Sequence, residues 1–251
     1  MERRKFIEIC MAGSTANAAC AAAQAHAADP APPTKPAGPP VPLAGKRYGR
    51  AKLVDGDGRA VKAASLKTNH NYVFHYPFAS TPCFLLKLDK SVTGKAELKV
   101  ESGGTYASVD GAGAQKNIVA FSAICAHKLA YPAKQVSFIS YRADARVGSA
   151  ATSRAKVIAC CADKSAYDPT QGARVVSGPA PQPLATILLE HDSKTDEIYA
   201  VGTLGGEKFD AFFEKYEFKL SLEMGGKARE RVSGASVLSD LTAYSSQTAQ
   251  C

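Results

Sequence analysis

Cys125-Ala126-His127 sets a thiol and an imidazole two residues apart, so one turn of chain can aim a soft sulfur and a borderline nitrogen at the same metal. The next residues of comparable chemistry lie in Cys160-Cys161-Ala162-Asp163-Lys164. Successive side chains of an extended chain point to opposite sides, so Cys160 and Cys161 are not expected to clamp one ion together, and one of them reads as packing. Cys125, His127, Cys160, Cys161 and Asp163 thus gather thiol, imidazole and carboxylate groups in two short stretches. Cys83 sits in an apolar run and reads as a small buried hydrophobe. Cys251, the last residue of the sequence, is expected to stand apart from the site. No Gly-x-Ser-x-Gly, phosphate-binding loop or His-Glu-x-x-His accompanies these residues.

The elements that must position these donors read as strands. Cys125 ends an apolar run from Ile118 to Ile124, and similar short runs begin near Tyr72, Cys83, Ala96, Gln135, Lys156, Ile187 and Ile198. Gly, Pro, Asp and Asn separate them, the pattern of an all-β domain. Residues 209–216 are expected to form a short helix or a last strand. Residues 226–251, rich in Ser, Gly and Ala, are expected to be a flexible tail, and 143–155 an insertion between the two donor loops.

The first 27 residues pair Arg3-Arg4 with Phe6-Ile7, continue as an Ala-rich stretch and end on Ala25-His26-Ala27. That is an export signal of the twin-arginine type, which carries proteins across already folded. It implies a periplasmic location, with an inner-membrane anchor if the signal is kept. Residues 28–45 form a Pro-rich spacer. Removing the signal leaves Cys83, Cys125, Cys160, Cys161 and Cys251, an odd set that makes a poor disulfide framework. The net charge of +8 is scattered, without the clustered patch of a nucleic-acid binder, and suits an acidic protein partner.

Around the second donor loop the chain resembles the Rieske iron–sulfur family. Cys125-Ala126-His127 matches that family's first loop. Ser165-Ala166-Tyr167-Asp168, Gly172 and Gly178-Pro179-Ala180-Pro181-Gln182-Pro183-Leu184 match the stretch C-terminal to its second loop. The resemblance spans roughly 66–213 and is strongest over 121–187. It implies an antiparallel β sandwich or barrel over 46–225 with a small cluster-binding subdomain over about 119–187. It also implies a [2Fe–2S] cluster, two thiolates on one iron and two imidazoles on the other, with a potential raised to about −150 to +300 mV. Ser165 and Tyr167 would tune the cluster, and Pro181 would belong to the loop covering it. Carried over residue by residue, the resemblance makes Cys125, His127, Cys160, Cys161 and Asp163 the candidate metal ligands, with a departure at the second loop: either Cys160 is the thiolate and Asp163 stands in the place of the second histidine, or Cys161 is and Lys164, whose positive charge would repel a metal, stands there. Asp163 as an oxygen ligand, a histidine reaching in from His70, His75 or His191, and a site without a cluster all remain open. The family's bracing disulfide is expected to be absent, because Ala130 and Ala162 stand near its positions.

The function so implied is electron transfer, as a carrier or as a subunit of an oxidoreductase rather than a stand-alone catalyst. The partner would be a quinol enzyme, a cytochrome or a molybdoenzyme. The alternative is an interaction module of the same fold that has lost its cluster.

Overall fold

The structure, a computed structural model, describes residues 42–145 and 154–251. The signal, nearly all of the Pro-rich spacer and most of the insertion lie outside the described residues. Ile118–Ser122 shows why the fold forms. Every residue of this strand is buried, and alternate side chains enter two different cores. Val119 and Phe121 join Phe84, Leu86 and Ile158 on one face, while Ile118 and Ala120 join Leu53, Phe74, Leu85 and Ile198 on the other. A strand covered on both faces reads as one apolar run, and here that run ends where the first donor loop begins.

The main sheet has eight strands. Their order is Gly234–Val237, Lys46–Val54, Glu197–Leu204, Thr186–Asp192, Ile118–Ser122, Pro82–Lys87, Tyr72–His75 and Ser239–Asp240. Its two outer strands are neighbours in the chain, joined by Leu238 alone. Gly234–Val237 pairs parallel with Lys46–Val54, and Ser239–Asp240 pairs antiparallel with Tyr72–His75. Ser236 Oγ accepts from His75 N at 3.2 Å and donates to His75 O at 2.8 Å, so the sheet nearly closes on itself. The protein is all-β in class, as expected.

A second sheet of four antiparallel strands, Arg174–Ser177, Ser165–Asp168, Val157–Cys160 and Ile139–Arg142, stacks against the first through the core of Val119 and Phe121. It carries the second donor loop. Phe209–Met224 is a 16-residue helix, longer than the sequence suggested, and its Phe212, Phe213 and Leu220 pack with Ile124, Leu129 and Tyr131 of the first donor loop.

Residues 226–251 correct the expectation of a flexible tail. They supply both edge strands, a short helix at Leu241–Tyr244, and the strand Gln247–Thr248 paired with Val136–Ser137. Small polar residues hid this, because backbone pairing needs no apolar signature and also covers sheet edges. His75 meets Tyr244 here, with Nε2 3.1 Å from the hydroxyl. Burial, with the charge of Lys134 second, lowers the His75 pKa to about 4. The unfolded chain therefore takes up a proton near pH 6.5 that the folded chain refuses until about pH 4. Stability is full above pH 6.5 and falls as pH drops through that window, by about 2–3 kcal/mol for this half-buried group. Urea unfolding at pH 7 and pH 4.5 should show that loss in the wild type and much less of it in His75→Gln; equal losses would refute the assignment.

Candidate metal centre

Each donor loop is a hydrogen-bonded turn springing from a strand. In the first, Cys125 N donates to Ala130 O at 2.8 Å and Leu129 N to Cys125 O at 3.0 Å, with Leu129 at φ 58°. In the second, strand pairing brings Ser165 opposite Cys160, and Lys164 N donates to Cys160 O at 2.8 Å with Lys164 at φ 63°. Asp163 is held by its own turn, Oδ1 accepting from Ser165 N at 2.9 Å. Gly178, at φ +86°, lies over this loop so closely that a Cβ would stand 2.4 Å from Ser165 Cα. Ala180 N then donates to Ser165 Oγ at 3.1 Å.

The two loops meet. Donor atoms of Cys125, Cys160 and Asp163 all lie within 4.8 Å of one another. Asp163 Oδ2 is 3.2 Å from Cys125 Sγ and 3.1 Å from His127 Nδ1. The Asp163 side chain is 1% exposed and that of His127 35%, so the imidazole forms the outer edge of the set. Tyr167 Oη lies 3.5 Å from Cys125 Sγ and accepts from Ala126 N at 3.3 Å.

The electrostatics of the set favour a cation. A hydrogen bond from Cys160 leads in lowering the Cys125 pKa to about 7; burial opposes it, and Tyr167 and the N–H groups of His127 and Lys128 assist. The Cys125 sulfur, burial and the Asp163 charge push the Cys160 thiol up. Burial works against the Asp163 charge, yet the Ser165 N–H and the two thiols outweigh it and hold the carboxyl below its usual range. Burial and the Cys125 sulfur raise the Tyr167 hydroxyl. The Cys125 thiol therefore loses its proton first, and the one held on Cys160 between the two sulfurs leaves only against buried negative charge. A bound cation would supply the missing compensation, and its binding would release that proton. Two sulfurs, one nitrogen and one oxygen are donors suited to iron.

Three sequence expectations change at this site. Cys161 forms a disulfide with Cys251, so it offers no thiolate, and Cys251 is tied to the second loop rather than standing apart from it. The groups that the second loop brings to Cys125 are Cys160 and Asp163. Neither Cys161 nor Cys251 announced the pairing, since 90 positions separate them. Pro181 is exposed and lines a shallow cleft with Lys99 and Arg174, so the contacts of the Pro-rich loop with the second loop come from Gly178 and Ala180 instead. None of the three distant histidines reaches in. His70 pairs with Asp240 at 2.6 Å, His191 with Asp196 at 2.8 Å, and His75 faces Tyr244. Arg142, 2% exposed and directed at both disulfide sulfurs, was not singled out in the sequence. Its strand, Ile139–Arg142, reads there as ordinary core.

No family model matches the chain. Among solved structures it is similar to the soluble domain of the Rieske protein II from Sulfolobus acidocaldarius, at 28% identity over 62% of this chain and 78% of that one, with a TM-score of 0.41.

Proposed function

We propose that the protein is an exported one-electron carrier, working in the periplasm as a Rieske-type domain or redox-complex subunit. The observation that carries this reading is the convergence of Cys125, Cys160 and Asp163 from two loops within 4.8 Å of one another, with His127 at their outer edge against Asp163. A [2Fe–2S] cluster held there would take up and release single electrons, with Cys125 and Cys160 on one iron and His127 and Asp163 on the other. The protein's own part is to orient these donors through the two turns, to keep water from the sulfurs, and to leave His127 at the surface as the contact with a partner. Lys128 and Lys164 directly follow two of the donors and are both exposed, which favours an acidic docking face. A quinol enzyme, a cytochrome or a molybdoenzyme would be the exchange partner. The Arg3-Arg4 signal supports export in the folded state. Among the described residues no helix is long and apolar enough to cross a membrane.

A second reading is favoured by the position of Asp163 Oδ2 between Cys125 and His127. Tetrahedral coordination of one ion would separate sulfur from oxygen by about 3.5 Å and nitrogen from oxygen by about 3.3 Å. The observed 3.2 and 3.1 Å are close to those edges. One assay on anaerobically purified protein separates the readings. About two irons and two acid-labile sulfides per chain, with a reduced-state EPR signal of low average g, are expected for the cluster. One ion without sulfide would replace it with the single-ion site. Absence of both would leave the metal-free interaction module.

A further inference from the structure

The last eleven residues are tied to both donor loops at once. Leu241 is buried in the core that also contains Cys125, Cys160 and Tyr167. From there Ser245 Oγ donates to Ala133 O at 2.7 Å, and Ser246 N to Lys134 O at 2.8 Å. Gln247–Thr248 pairs with Val136–Ser137, and Ala249 N donates to Ser137 O at 2.8 Å. These partners all lie just C-terminal to the first donor loop. The chain then ends its run on Cys161, the residue beside Cys160 at the root of the second loop. Cys161 N donates to Phe138 O at 2.6 Å, closing the circuit between the loops.

Beneath the disulfide lies a buried guanidinium. Arg142 Nη2 is 3.1 Å from Cys161 Sγ and 2.8 Å from Cys251 Sγ, and Nη1 donates to Cys251 O at 3.0 Å. A disulfide needs no cation. A thiolate does, and a fixed positive charge beside a sulfur speeds its departure in thiol–disulfide exchange. Both cysteines are half-buried rather than sealed in, whereas Cys83, Cys125 and Cys160 are buried. A two-residue strand is a weak hold by itself, so the covalent bond sets how firmly the segment stays.

We infer that Cys161–Cys251 is a reversible thiol–disulfide site for a dithiol reductant, and that it acts as a latch fixing the second donor loop against the segment after the first. The reductant's thiolate attacks Cys251 Sγ, forming a mixed disulfide and releasing Cys161 as a thiolate beside Arg142. The reductant's second thiol then displaces Cys251. Two electrons pass to Cys161 and Cys251, and the reductant leaves as its own disulfide. The opened latch frees the strand Gln247–Thr248 and loosens the 161–164 turn that presents Asp163. This inference does not depend on which metal the site holds.

The test uses the full chain with dithiothreitol as the reductant, in an anaerobic concentration series quenched with a maleimide and read by peptide mass. Cys161 and Cys251 should label together while Cys83 stays unlabelled, since Cys83 is reached only on unfolding. Amide exchange over 134–137, 161–164 and 246–249 should rise about tenfold or more on reduction, with Ile118–Ser122 unchanged. Cys251→Ser should show the same fast exchange without reductant. Arg142→Gln should need about tenfold more dithiothreitol for half-reduction, the fold-change set by loss of the cation. Labelling of Cys83 in step with Cys161, or unaltered exchange over 134–137 and 161–164 in Cys251→Ser, would overturn the latch. Should Arg142→Gln not fold, those two wild-type and Cys251→Ser measurements decide alone. Metal content of the same samples reports separately on the redox-carrier reading.

Discussion

Asp163→Ala is expected to strip the purified protein of its metal, lowering occupancy by at least about tenfold under conditions where the wild type is loaded. The carboxylate of the second loop touches both candidate donors of the first, at 3.2 Å from Cys125 and 3.1 Å from His127. It is also buried, so water cannot readily take its place. Removing it leaves the Ser165 N–H without its acceptor at a cost of about 1–3 kcal/mol, and a melting curve must therefore accompany the metal assay. Asp163→Asn provides the control, because an amide oxygen still accepts from Ser165 while the charge is gone. Asp163→His supplies a neutral imidazole suited to iron, and raised occupancy with a higher reduction potential is expected from it. The sign of the potential is set by charge, since a carboxylate stabilises the oxidised centre more than an imidazole does. Wild-type metal content in Asp163→Ala would remove Asp163 from the donor set. Unloaded protein in all forms, the Asp163→His variant included, would support the module without a metal.

The Cys-x-His pair and the β class were legible because both depend on local pattern. A thiol and an imidazole two apart, at the end of an apolar run buried on both faces, are visible without knowing the topology. The role of Asp163 was half legible. Its place in the second loop marked it, but only the turn that fixes Oδ1 on Ser165 N shows why the carboxylate points inward. The Cys161–Cys251 bridge was not legible, because 90 residues separate the two cysteines and the last stretch returns to the second loop largely through backbone pairing. Ser, Gly and Ala carry that return path with no periodic apolar signal, which is how edge strands that cover a sheet commonly look. The odd number of cysteines misled in the same way. Counting cannot tell that Cys161 and Cys251 are brought together while Cys83, Cys125 and Cys160 stay free and buried. Pro181 shows the converse error. The Pro-rich loop was rightly placed against the second loop, yet its contacts are made by the least conspicuous residues, Gly178 and Ala180.

Gly178→Ala should therefore weaken the fold well beyond the usual penalty for an alanine at positive φ. The backbone there sits at φ +86°, which costs a side chain about 1–2 kcal/mol by itself. An added Cβ would also stand 2.4 Å from Ser165 Cα, 2.6 Å from Lys164 O and 2.7 Å from Ser165 N. All three are backbone atoms, so no side chain can swing aside. Nor can the loop simply lift, because the Ala166–Ser177 pairing lies beside it and Ala180 N is bound to Ser165 Oγ. Relief requires one of these contacts to break, adding about 1–3 kcal/mol and giving about 2–5 in total. Gly58→Ala isolates the backbone part, since Gly58 has a similar φ of +79° and nothing within 4 Å of its added Cβ. It should lose only about 1–2 kcal/mol. Paired urea titrations measure the difference, and amide exchange at Ala180 shows whether the Ser165 contact is what yields. The same shift moves Ser165 and the Asp163 turn it anchors, so the variant should load metal less completely than the wild type while Gly58→Ala loads normally. Equal destabilisation by the two substitutions would mean that the Pro-rich loop does not rest on the second donor loop at Gly178.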